Sequence, residues 1–146
     1  MVELPSTLYD EIVTHALEGW PNEVCGLVAA SSNGPIQTYR IENTAENPPT
    51  RYVMDPKQQF EAMMDIEERE WTLHAIYHSH PSTEAYPSAT DRSLAFYPDA
   101  VYLICTLQDR ARPSVRAFLI VEDEVSEHEL HVVEAEFDAA RTGAGG

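Results

Sequence analysis

The chain has 146 residues, of which 43% are hydrophobic, and it sets nine Lys plus Arg against 25 Asp plus Glu for a formal charge of −16. That length and hydrophobicity suit one globular domain with a core of its own, not a disordered acidic segment. The charge argues against nucleic acid or anionic membrane as partner, because the eight arginines and the single Lys57 are scattered and form no basic patch.

The chain opens without a basic, then apolar, leader, and no apolar run approaches the ~18 residues of a membrane span, so a soluble cytoplasmic protein is expected. Ser6 or Thr7 can cap a first helix in which Leu8, Ile12, Val13, Ala16 and Leu17 recur at helical spacing, with Gly19 and Pro21 as the stop. Residues 24–30 form an apolar run that reads as a buried strand, and 36–41 alternate as a half-exposed strand does. Asp55 caps a second helix with Pro56 in its first turn, and Phe60, Met63, Met64 and Glu67 share one stripe of it, the methionines as core filler. Residues 71–80 form a strand running into Pro81, followed by a loop to Asp91 and a short helix expected to carry Leu94 and Phe96. Strands over 101–107, 114–121 and 125–133 complete an α/β (α+β) domain with a mixed sheet, spanning residues 1–140 ahead of a disordered tail at 141–146. Cys25 and Cys105 are too few for a disulfide framework and read as buried thiols, with a single bridge left open.

The chemistry concentrates between residues 78 and 91. His78 and His80 stand two apart on a strand, so their imidazoles leave the same face and can converge on one ion. Alone, such a pair is more often an ordinary feature of a strand end. The continuation through Ser88 to Asp91 makes the pattern H-x-H-x7-S-x2-D. Two imidazoles and a carboxylate are a usual catalytic zinc set, with the fourth position left to a water whose pKa falls to roughly 7. Ser88 and Asp91 also have the spacing of a helix capping box, and the two readings are compatible.

This motif resembles that of the JAMM (MPN+) zinc metalloproteases, and residues 21–26, Pro-Asn-Glu-Val-Cys-Gly, resemble the segment that carries the family's glutamate. The resemblance covers essentially the whole chain. It implies an MPN domain of layered, cytidine-deaminase-like architecture and one zinc per chain held by His78, His80 and Asp91. It further implies Glu23 as the acid/base and Ser88 as a hydrogen-bond donor to the oxyanion. Residues 83–88 are similar to the bacterial Mec-type branch, which implies release of cysteine from the C-terminal Gly-Gly of a ubiquitin-like sulfur carrier protein, a step in cysteine biosynthesis. An isopeptidase of deubiquitinase type is the alternative within the family.

Other classes fit less well. A zinc nucleobase deaminase needs an H-x-E or C-x-E pair with P-C-x-x-C, and neither occurs. A thiol peptidase built on Cys25 would place its nucleophile in an apolar run, where thiols are usually inert. A metal-free MPN scaffold that only binds partners would not be expected to keep Glu23, His78, His80, Ser88 and Asp91 together. The acidic stretch 122–129, with His128 and His131 nearby, reads as a solvated hairpin edge before it reads as a second metal site, and His15 and His74 as ordinary helix and strand residues. The Gly145–Gly146 ending is similar to a ubiquitin-like tail, but with no ubiquitin-like body before it, it reads as a frayed terminus.

Overall fold

The structure, a computed structural model, describes residues 1–134. The expected end of the domain at 140 and the tail at 141–146 lie outside the described residues.

Strand β1 (Val2–Pro5) leads straight into helix α1 (Ser6–Gly19), whose Leu8, Ile12 and Ala16 fall on one buried stripe. The N-cap is Pro5 and no side chain caps the helix, which corrects the expectation for Ser6 or Thr7. Ser6 is already helical because Pro5 ends the strand with its φ preset near the helical value, so there is no free turn in which a hydroxyl could reach back. Next come β2 (Cys25–Ser31), β3 (Gly34–Ile41), α2 (Pro56–Glu68), β4 (Thr72–His80), α3 (Ala89–Ser93), β5 (Val101–Thr106), β6 (Ser114–Val121), β7 (Glu124–His128) and β8 (Leu130–Val133).

A six-stranded sheet in the order β3-β2-β4-β5-β6-β7 forms the centre of the molecule; β4 and β5 run parallel and the other neighbours antiparallel. The period of two along each strand divides the core between its faces. Ala75, Tyr77, Leu103 and Cys105 pack with Leu8, Ile12 and Ala16 of α1. Ile76, Ile104, Phe118 and Cys25 pack with Ala62 and Ile66 of α2 on the other face. This is the mixed sheet flanked by helices that the sequence led one to expect. The two cysteines are buried, free and on opposite faces, so no bridge joins them.

Three further expectations are corrected. On α2 the buried residues are Ala62 and Ile66, while Phe60 is 65% and Met64 47% exposed. At about 100° per residue, positions 60 and 64 lie on the side of the helix away from 62 and 66, whereas Met63 is half-buried and packs against the core as expected, so the stripe had the right period but was centred off the buried face. Helix α3 stops at Ser93, with Leu94 as its C-cap, and both Leu94 and Phe96 are exposed. The stretch 125–133 is two strands: β7 pairs with β6 at the sheet edge, whereas β8 pairs in parallel with β1 in a separate two-stranded sheet. β1 is too short, with one buried residue, for alternation to reveal it. Among the described residues no helix is long and apolar enough to cross a membrane.

Candidate metal centre

β4 ends in the middle of the sheet, and its last residues carry the site. His78 and His80 share the face of Ile76, and each is almost wholly buried, at 1% and 4% exposure. The antiparallel register between β2 and β4 pairs Cys25 with His78, so the chain just before β2 brings Glu23 alongside His80. Ser79, fully buried between the histidines, secures this crossing: its N–H donates to Val24 O at 3.0 Å and its Oγ accepts from Val24 N at 2.8 Å. Glu23 is thus buried, although a lone Glu ahead of a strand is ordinarily solvated.

Asp91 arrives from α3. Ser88 is the N-cap; its Oγ accepts from Asp91 N at 3.0 Å, while Asp91 Oδ2 accepts from Ser88 N at 2.9 Å, completing the capping box. The same Oδ2 lies 3.2 Å from His78 Nε2 and 3.1 Å from His80 Nε2, and the two Nε2 atoms are 3.2 Å apart. The His80 Nδ1–H donates to Glu84 O at 2.8 Å, which turns Nε2 inward. Thr106 Oγ donates to Thr83 O at 2.5 Å and pins the same loop. Tyr52, from the loop between β3 and α2, stacks on His78 with ring centroids 4.5 Å apart.

Burial pushes the His78 imidazole below its ordinary pKa; burial also acts on His80, but the Asp91 carboxylate and the Glu84 carbonyl outweigh it and hold that ring higher. Asp91 resists its own burial through the two imidazoles and the Ser88 N–H, and sits far below the usual carboxylate range. Desolvation raises Glu23 to about 8, opposed by His80 and reinforced by Asp91, and its Oε1 is buried with no hydrogen-bond partner.

Two inward imidazole nitrogens and a carboxylate oxygen therefore crowd one point that is largely closed to water. Lone pairs at these separations repel unless a proton or a cation lies among them. Among the described residues this is the one group of three or more metal-ligating side chains close enough to share an ion, and it includes neither His128 nor His131. The donor set, two imidazoles and a carboxylate with no fourth protein ligand, fits zinc. Beside it, across Tyr52, opens a largely apolar cleft of about 340 Å³ lined by Met54, Ile76, Leu94, Phe96 and Tyr102.

Cys25 offers no rival nucleophile. Burial, with Glu23 nearby, pushes its thiol up to about 12, and its S–H donates to Ile41 O. The motif spacing had brought His78, His80, Ser88 and Asp91 into view. Ser79, Glu84 and Tyr52 carry no spacing signal, because each acts through contacts made across elements.

A family model described as prokaryotic homologs of the JAB domain matches residues 5–121. The chain belongs to this family. It is also 38% identical over 128 residues to the CysO-cysteine peptidase of Mycobacterium tuberculosis, covering 87% of this chain and 88% of that one. It is 36% identical over 115 residues to the desampylase of Haloferax volcanii, covering 75% of this chain and 83% of that protein. A JAB1/MPN domain protein from Archaeoglobus fulgidus superposes with a TM-score of 0.61 over 91% of this chain and 97% of its own, at 20% identity. That likeness establishes the fold, and with the family it bears out the JAMM/MPN resemblance.

Proposed function

We propose that the domain, taken as residues 1–140, is a zinc metallopeptidase that cuts after the C-terminal glycine of a ubiquitin-like protein, releasing cysteine from a sulfur carrier in the cytoplasm. The observation that carries this reading is the meeting of His78, His80 and Asp91 beside the buried, unpartnered carboxyl of Glu23. His78, His80 and Asp91 would hold one zinc per chain. Zinc bound there would supply Lewis acidity toward the carbonyl and lower the pKa of a coordinated water to roughly 7.

The chain's own residues supply the rest. Glu23 takes the proton of the attacking water and returns it to the leaving amine. Its Oε1 has no protein partner, which leaves the oxygen free for that traffic. The Ser88 Oγ accepts from Asp91 N, and among the described residues nothing accepts its proton, so its O–H is available to donate to the oxyanion. The apolar cleft beside Tyr52 excludes water from one side of the reacting bond, and glycines in the substrate tail let its backbone come close to Glu23 and Ser88. The peptidase at 38% identity favours cysteine as the leaving group, while the desampylase at 36% favours an isopeptide, the second reading.

Zinc content and cleavage test both. Wild-type protein should bind about one equivalent, Asp91→Ala should lose it, and Glu23→Gln should keep it while losing roughly 10²–10⁴ in rate. Undiminished zinc in Asp91→Ala would overturn the ligand set. Mass spectrometry should show faster cleavage of a cysteine-extended Gly-Gly carrier than of a lysine-linked dimer; the reverse order would favour the isopeptidase.

A further inference from the structure

Glu23 stands outside β2, and its Oε1 has no partner to hold it, so the carboxyl is placed by its backbone. Both backbone polar groups of Glu23 are bound by the loop that joins β3 to α2. Its N–H donates to Pro48 O at 2.8 Å, and its C=O accepts from Asn43 Nδ2 at 2.9 Å.

Asn43 does more than meet one carbonyl. The same NH₂ donates to Arg51 O at 3.0 Å, and Oδ1 accepts from Ala45 N and Val53 N, each at 3.0 Å. A primary amide offers two donors and two lone pairs, and here all four are engaged. Two of the bonds, to Arg51 O and from Val53 N, bracket Tyr52, the residue stacked on His78. A backbone bridge between Asn43 and Met54 closes the loop on the far side of Tyr52. One side chain thus ties the backbone of Glu23 to the segment that walls His78.

We infer that Asn43 is a positioning residue for the proposed reaction, locking Glu23 and Tyr52 into one rigid body against the His78, His80 and Asp91 cluster. The inference rests on the reading of Glu23 as acid/base given above. Its physical basis is that a displacement near 1 Å of a reacting group can cost on the order of 10²-fold in rate.

Asn43→Asp is the discriminating variant. It preserves shape and the acceptor toward Ala45 and Val53, but sets a carboxylate oxygen against the carbonyls of Glu23 and Arg51, turning attraction into repulsion. Thr44→Val is the control: it removes the Thr44 Oγ bond to Val53 O at 3.1 Å in the same loop and leaves Glu23 untouched. With zinc loaded, Asn43→Asp should lose about 10–100-fold in kcat on the cysteine-extended carrier. KM should stay nearly constant and zinc content unchanged, because His78, His80 and Asp91 lie on β4 and α3. Thr44→Val should lower Tm and keep kcat. Amide hydrogen exchange at Glu23 should quicken in Asn43→Asp and not in Thr44→Val, while the Val53 amide, whose acceptor is kept, stays protected in Asn43→Asp.

Wild-type kcat in folded Asn43→Asp, or equal kcat losses in both variants at matched Tm, would overturn the inference. If Asn43→Asp does not fold, Asn43→Ser, which keeps one donor and one acceptor, replaces it under the same criteria. A wild-type protein that binds zinc and cleaves nothing would defeat the proposed function instead, and the exchange pattern would still decide whether Asn43 holds Glu23.

Discussion

Ser88 offers two roles whose energetic signatures differ, so substitutions there can separate them. As N-cap its Oγ accepts one hydrogen bond from Asp91 N, while the reciprocal bond from Ser88 N to Asp91 Oδ2 uses the backbone N–H and is kept by the Ala, Gly and Thr variants. Ser88→Ala therefore removes half of the capping box at an exposed position, worth about 0.5–1 kcal/mol, or a Tm lower by about 2–4 °C. Ser88→Gly costs only a few tenths of a kcal/mol as a cap, yet it lacks the hydroxyl just as Ala does. If the hydroxyl also donates to the oxyanion, both variants should lose about 10²–10³ in kcat, equivalent to about 2.7–4 kcal/mol. If it is only a cap, activity should follow stability and glycine should nearly restore it. The assay is kcat on the cysteine-extended carrier at saturating zinc, beside thermal unfolding of each variant and of Ser88→Thr, which should retain both properties. Near wild-type kcat in Ser88→Gly would refute the oxyanion role and leave the cap alone standing.

Two predictions concern the scaffold. His15 Nδ1 lies 2.7 Å from the Tyr77 hydroxyl, and desolvation foremost lowers the ring to about 4, so the unfolded chain, near 6.5, binds its proton first. Stability should accordingly fall as pH drops from 6.5 toward 4, by about 1–2 kcal/mol after discounting for partial exposure, and denaturant titrations of His15→Gln should show a shallower slope; equal slopes would refute this. At Gly26, an added Cβ would meet the buried Tyr77 ring and come within 2.5 Å of Tyr39 O, so Gly26→Ala should destabilise by about 1–3 kcal/mol, measured as a lower Tm with m-value unchanged.

What could be read along the chain is what a single element's period determines. His78 and His80 must share a face of their strand, Ser88 and Asp91 must meet across one helical turn, and Leu8, Ile12 and Ala16 must line one stripe of α1, because these relations repeat every 2 or 3.6 residues. Period does not say which face meets the core, which is why Phe60 and Met64 were misplaced on α2 and Ala62 and Ile66 overlooked. Nor does it say which strands pair: alternation runs through 125–133, yet the chain leaves the main sheet there so that β8 can join β1. Glu23 shows the division most clearly. Its residue type was marked by family resemblance alone, and its place beside His80 follows from the β2–β4 register together with the Asn43 and Pro48 hydrogen bonds, all made between residues far apart in sequence. Such contacts depend on how strands are paired and loops folded back, which local spacing does not encode.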